Sequence, residues 1–216
     1  MRRGRILSVV SALSVACAAF AASDPLHDAL DRIQQRYEST RTLTADFKQT
    51  VESPTLARPL QSQGTVAFEK PNRMRWDYAK PDEQLIVGDG ETLWVYQPED
   101  HQAIKAPLGE AFQATTPVTF LAGLGRLDRD FEATLVREDA DDWQLRLVPK
   151  KDAALGTLEL RVRKKDAAIE EARITDPVGT TTRIAFSNEK RNVTIDPARF
   201  RFSPPAGVDV IKPPAY

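Results

Sequence analysis

The chain is poor in the residues that most often do chemistry. It has one cysteine, Cys17, and two histidines, His27 and His101, among 216 residues. A lone cysteine excludes a disulfide framework and a CxxC zinc site. Two distant histidines leave little for a histidine metal cluster. An excess of one charge is also missing: 30 Lys and Arg stand against 31 Asp and Glu, a net charge of -1. Such a balance gives no reason to expect nucleic acid as the main partner. There is no GxSxG elbow, HExxH helix, Walker loop or GxGxxG following a strand. Gly88-Asp89-Gly90 reads as a hairpin turn rather than a phosphate cradle. His27 on a helix and His101 in a polar turn read as solvated side chains. The acidic run Asp139-Ala140-Asp141-Asp142 reads as a hairpin tip. A glycosidase pair among the many carboxylates stays open, because carboxylate separation is not legible in sequence.

What is present suits a globular chain with a buried core: 41% of residues are hydrophobic and 28% charged. Residues 1–21 read as a cleaved secretory signal. Arg2, Arg3 and Arg5 precede an apolar stretch from Ile6 to about Ala18, and Ala19-Phe20-Ala21 fits a small-x-small cleavage site before Ala22. The stretch is short for a spanning helix. Cys17 would be lipidated if Ser14-Val15-Ala16-Cys17 were a lipobox, but Ser14 stands where Leu is usual. Ordinary cleavage leaves residues 22–216 as one cysteine-free domain, suited to an oxidising periplasm.

Residues 25–38 read as an amphipathic helix, with Asp24 as cap, Pro25 in the first turn, and Leu26, Ala29, Leu30, Ile33 and Tyr37 on one face. The period then falls to two. Leu43, Ala45, Phe47 and Val51 alternate with polar residues; Val66 pairs with Phe68 in 63–69; Met74, Trp76 and Tyr78 alternate with Arg73, Arg75 and Asp77. Further strands are predicted at 84–88, 91–96, 131–138, 143–149, 157–163, 168–175 and 180–187. Residues 107–125 interrupt them, and Thr116-Pro117 opens a short helix bearing Val118, Leu121 and Leu124. The Pro-rich C-terminus reads as a strap or tail, because Pro does not sit in a central strand. The spacing suggests one curved or barrel-like antiparallel sheet. Such a sheet can present an apolar concave side to a ligand, though the same pattern describes an ordinary filled core.

An ordered set of strings carries a resemblance. Phe47-Lys48-Gln49 and Gly64 come first, then Lys70 before Pro71-Asn72-Arg73-Met74-Arg75-Trp76-Asp77-Tyr78, and Pro81. Asp89-Gly90-Glu91-Thr92-Leu93-Trp94-Val95-Tyr96 follows with Pro98 and Gln102, then Thr116-Pro117, and finally Phe200-Arg201-Phe202-Ser203-Pro204-Pro205-Ala206-Gly207-Val208-Asp209-Val210. In this order they resemble the LolA family of periplasmic outer-membrane lipoprotein carriers. The resemblance implies a mainly β fold: an incomplete, unclosed antiparallel β-barrel of roughly 11 strands covered by a few α-helices. It implies a monomer that takes lipoproteins from the inner-membrane LolCDE transporter and delivers them to LolB at the outer membrane. No cofactor, metal or covalent chemistry is implied. Met74 and Trp76 match the strand facing the family's cavity; Phe120 and Leu121 match its lid helix. Leu30 and Ile33 on the first helix, and Phe47, Val66 and Phe68 on the sheet, are further acyl-contact candidates. For each, core packing is the competing reading. Where the family often has Arg to hold the lid, this chain has Lys70, which lacks the planar fork. Arg73 and Arg75 are the alternative latch candidates. Two other readings stay open: a LolA-like lipid- or lipoprotein-binding protein with another cargo or a sensing role, and a periplasmic hydrolase.

Overall fold

The computed structural model describes residues 24–111, 126–151 and 156–212. The signal segment, the Thr116-Pro117 helix, and with it Phe120 and Leu121, lie outside the described residues.

Helix α1, Pro25–Ser39, begins where the sequence predicts. Asp24 accepts a hydrogen bond from the Leu26 N–H at 3.0 Å, and Pro25 occupies the first turn. Ala29 and Ile33 lie on its buried face. The next strands are β1 (Thr42–Glu52), β2 (Leu60–Glu69), β3 (Arg73–Lys80), β4 (Gln84–Asp89), β5 (Thr92–Gln97) and β6 (Gln102–Pro107). Asn72, with its φ of 59°, turns β2 into β3. Gly90, at φ 109°, turns β4 into β5, and the Asp89 carboxylate accepts from the Glu91 and Thr92 N–H groups at 2.9 and 2.8 Å. One-turn helices α2 (Leu108–Ala111) and α3 (Leu127–Asp130) come next. They precede β7 (Phe131–Glu138), β8 (Asp142–Pro149), β9 (Thr157–Arg163), β10 (Ala168–Thr175) and β11 (Thr181–Arg191).

With a last short strand, β12 (Asp209–Ile211), the described strands join one 12-stranded sheet in the order β12-β6-β5-β4-β3-β2-β1-β11-β10-β9-β8-β7. Every neighbouring pair is antiparallel except β12 and β6. The C-terminal segment passes through a 3-10 helix, Pro197–Phe200, and adds β12 (Asp209–Ile211) parallel to β6. This strand and β6 are the additions to the predicted set, and the expected strap thus ends as an edge strand. β7 and β12 do not pair, so the barrel stays unclosed.

Register assigns each side chain to a face, because alternation is strict within a strand. Phe47 of β1 lies opposite Gly64 of β2 and Phe186 of β11; Val66 lies opposite Trp76; Ile184 opposite Ala172; Leu160 opposite Leu145. These residues share one inner face. On β7 to β10 that face is filled: Leu145, Leu147, Leu158, Leu160 and Val162 pack with Phe131, Trp143 and Leu127, and Ala29 and Ile33 of α1 close the cluster. The outer face carries a smaller core. Ala67 packs with Ile195 and Phe200, and Phe202 meets the rings of Trp94 and Tyr96 at 5.5 and 5.2 Å. That contact holds the C-terminal strap to the sheet.

Candidate functional site

Over much of its extent the inner face of β1 to β6 is apolar, and the described residues do not fill it as they fill its other half. Two rows cross it. One runs Leu43, Phe68, Met74, Gly88, Leu93, Ala106; the next runs Ala45, Val66, Trp76, Ile86, Val95, Ile104. Trp76, Ile86, Leu93, Val95 and Ile104 are only half-buried. Among the described residues, the cluster around Phe47 contains strand residues only. Charged side chains of these strands, Lys48, Glu69, Arg75, Asp77 and Lys105 among them, project from the opposite face.

Aromatic rings form the floor. Phe47 meets Trp76 and Tyr78 edge-on at 4.9 Å each, and Phe68 meets Trp76 at 5.9 Å. Trp76 also lies 6.3 Å from Phe186. Edge-to-face contacts of this kind are favourable beyond burial and fix ring orientation. Two glycines make room for the arrangement. A Cβ on Gly64 would meet the Asp77 carbonyl oxygen at 1.8 Å and Phe47 at 3.0 Å; one on Gly88 would meet Met74 and Leu108 at 3.1 and 3.2 Å. The Tyr78 hydroxyl donates to Gln49 Oε1 at 3.1 Å, and burial raises its pKa.

The candidates named from sequence separate into groups. Met74, Trp76, Phe47, Val66 and Phe68 all lie on this floor, with Phe47 and Val66 buried and Met74 8% exposed. Ile33, at 3% exposure, and the partly buried Leu30 belong to the filled half, where they pack over β7 to β10. Lys70 reaches α1. Its Nζ donates to the Tyr37 carbonyl and sits 3.6 Å from the centroid of the Tyr37 ring. Burial lowers its pKa, and the nearby Glu38 charge opposes that shift. Arg73 and Arg75 do not turn toward α1. Arg73 pairs with Glu69 at 3.1 Å, and Arg75 Nε donates to both Asp77 carboxylate oxygens at 2.9 and 2.8 Å. Arg75 also bonds the Arg199 carbonyl at 3.0 Å and so holds the outer strap. Tyr78, Ile86, Leu93, Val95, Ile104 and Phe186 were not singled out from sequence as floor residues. The alternation that located their strands, carried across a known register, identifies them.

No other chemical centre competes with this floor among the described residues. No group of His, Cys, Asp and Glu among them could hold a metal. Asp128, Asp130, Asp166 and Glu171 all have lowered pKa values, each chiefly through a hydrogen bond from an arginine side chain. A general acid needs the opposite shift. A polar cleft of about 610 Å³ lies where α1 meets the β7–β8 and β9–β10 turns. Three of its four lining cations are engaged by the fold: Arg32 bonds the Lys164 carbonyl, Arg163 holds Asp166 and Glu170, and Lys164 pairs with Glu138.

A model of the family described as outer membrane lipoprotein carrier protein LolA matches residues 38–203. The outer-membrane lipoprotein carrier protein of Methylibium petroleiphilum is 38% identical over 98% of this chain and 99% of its own length. That of Chromobacterium violaceum is 33% identical over 92% of this chain and 94% of its own. Among solved structures, an uncharacterized conserved protein from Thermus thermophilus shares the fold with a TM-score of 0.55 at 14% identity, covering 86% of this chain and 98% of that one. The family match spans most of the chain and the relatives align along nearly all of it, so this protein belongs to the LolA family of outer-membrane lipoprotein carriers.

Proposed function

We propose that the protein is a periplasmic chaperone that carries lipoproteins by holding their acyl chains against the inner face of β1 to β6. One observation supports this reading above the others. The two rows that cross that face are apolar, uncharged and paved with rings, yet Trp76, Ile86, Leu93, Val95 and Ile104 in them are only half-buried, whereas the equivalent face of β7 to β10 is closed by α1. Exposed apolar floor of that extent is a marker of a binding surface.

The energetics suit carriage rather than catalysis. Burying an acyl chain is worth about 0.8 kcal/mol per CH₂, so a chain of about sixteen carbons gains on the order of 12 kcal/mol before ordering costs. Free transit through water is therefore prohibitive. Met74, Trp76, Phe68, Val66 and Phe47 supply the floor. Phe120 and Leu121, outside the described residues, are the further acyl contacts, and Leu30 and Ile33 anchor α1 over β7 to β10. Lys70 ties the last turn of α1 to the β2–β3 turn and acts as the latch. Residues 1–21 direct export and are cut before Ala22. Cargo arrives from the LolCDE transporter and leaves to LolB, downhill without ATP if the receptor binds the chains more tightly. The carrier acts as a monomer and makes or breaks no covalent bond.

Native mass spectrometry of mature protein from a periplasm in which a lipoprotein is overproduced tests this. A one-to-one complex is expected for wild type and should be depleted for Trp76→Glu. Co-purification of another lipid, never a lipoprotein, would keep the binding site and change the cargo. A protein that retains no lipid under these conditions would remove the carrier reading.

A further inference from the structure

Beside the apolar rows lies one of a different kind. Tyr78 of β3 is in register with Gln84 of β4, and Gln97 of β5 with Gln102 of β6. Alternation from Ile86, Val95 and Ile104 puts all four on the inner face. One step further along, Gln49 of β1 lies opposite Ser62 of β2, and the Tyr78 hydroxyl reaches Gln49. Six neighbouring strands thus each contribute one uncharged polar side chain. All six are half-buried. The side chains of Ser62, Gln84, Gln97 and Gln102 make no hydrogen bond with another described residue. The row is confined to the open half: across β11, β10, β9 and β8 the positions in register with Gln49 are Ile184, Ala172, Leu160 and Leu145.

The chemistry of this row is selective. Amide and hydroxyl groups present donors and acceptors without charge. A solvated rim would accept Lys or Glu equally well, and none occurs in this row or in the two apolar rows beside it. A phosphate or a free carboxylate placed here would meet no cation in the three rows. An ester carbonyl, uncharged and acceptor-only, matches the glutamine N–H donors, and the polar row lies where acyl chains laid across the apolar rows, along the strands, would end.

Building on the carrier reading, we propose that Gln84, Gln97 and Gln102, with the Tyr78–Gln49 pair, bind the uncharged ester linkage of a diacylglyceryl anchor. The row thereby selects ester-linked lipid anchors over ether-linked ones of equal chain length.

The test uses the mature chain and two synthetic probes: a short peptide whose cysteine carries a diester diacylglyceryl group, and its diether analogue of equal chain length. Affinities are read by displacement of a fluorescent alkyl probe. Wild type is expected to bind the diester about tenfold more tightly, the worth of one or two good hydrogen bonds. In Gln84→Leu/Gln97→Leu/Gln102→Leu the ratio is expected to fall to one. Equal binding of both probes by wild type, or a ratio that persists in the triple variant, overturns the ester site and leaves the carrier reading standing. The wild-type comparison needs no variant, and Gln97→Leu alone replaces the triple variant if that does not fold, with a ratio reduced toward one expected and an unchanged ratio overturning the site. Failure of both probes to bind overturns the carrier reading as well.

Discussion

One sheet builds its inner face twice, and the two halves are finished differently. On β7 to β10, Leu145, Leu147, Leu158 and Val162 are fully buried under Ile33, Ala29 and Leu127. On β3 to β6, Trp76, Ile86, Leu93, Val95 and Ile104 stand in the same orientation and remain half-buried. Both halves are rich in apolar side chains, so composition does not separate them; what packs on top does. The fastenings of α1 are just as uneven. Toward the filled half, Arg36 bonds the Asp166 carbonyl at 2.9 Å and pairs with Glu189, and Arg32 bonds the Lys164 carbonyl. Toward the open half, Lys70 bonds the Tyr37 carbonyl. The filled half holds the fold together. The open half keeps apolar surface available, at about 25 cal/mol for each Å² left in water, which a ligand can recover.

The largest expected effects separate stability from binding. Leu160→Ala removes a side chain that is 1% exposed at the centre of the filled half. Unfolding free energy should fall by about 2–5 kcal/mol, measured by urea titration. Trp76→Glu places a charge on the open floor among Phe47, Phe68 and Phe186. Its acyl-chain affinity should fall about tenfold or more, while its urea midpoint moves less than that of Leu160→Ala. If Trp76→Glu proved the more destabilising and bound acyl chains normally, the two halves would not divide the work as described.

A smaller effect is expected at the join between the halves. Lys70→Met removes the donor to the Tyr37 carbonyl and the cation over its ring. The loss should be about 1 kcal/mol, concentrated in the last turn of α1. Hydrogen exchange at the Tyr37 to Thr40 amides should speed up, with those of β8 and β9 unchanged. Lys70→Arg should restore most of the protection, since a guanidinium keeps both charge and donors. Uniform exchange across the variant would mean that Lys70 supports the fold at large and is no latch.

α1 and ten of the strands are legible because their apolar residues keep a clear period: Ala29 and Ile33 at helical spacing, Leu43, Ala45 and Phe47 at period two. β6 is not, because Gln102-Ala103-Ile104-Lys105-Ala106-Pro107 carries two alanines and a proline, and alternation of small residues is a weak signal. β12 depends on a partner rather than on its own three residues; the Asp209 N–H bonds the His101 carbonyl at 2.9 Å, far back in the chain. The site shows the same division. Met74 and Trp76 could be named through the family resemblance of their strand, but the polar row of Gln84, Gln97 and Gln102 exists only once register is known. The Lys70 contact joins residues 33 apart in sequence, and no local pattern encodes it.

The smallest expected effect lies in the filled half and is read by acid. Asp130 ends α3 under the Phe131–Leu127 corner of that core. It accepts from the Arg126 N–H at 2.8 Å and from Arg129 Nε at 2.7 Å. The Arg129 hydrogen bond, helped by the Arg126 backbone donor, lowers its pKa from 3.8 to about 2, against a desolvation effect of opposite sign. A carboxylate with a folded pKa below its unfolded value binds fewer protons in the native state. It therefore stabilises the fold above pH 3.8, and that contribution is lost as pH falls from 3.8 through about 2. Asp130→Asn removes the titration and keeps a weaker acceptor for the Arg126 N–H. The variant should be slightly less stable at neutral pH, and the gap to wild type should close between about pH 4 and pH 2, where Asp130 itself becomes protonated. Thermal unfolding followed at several pH values measures that gap. Because α3 packs in the filled half, the acyl affinity of Asp130→Asn at neutral pH should equal that of wild type. A binding defect there would show that the two halves are coupled, and that the filled half does more than hold the open one in place.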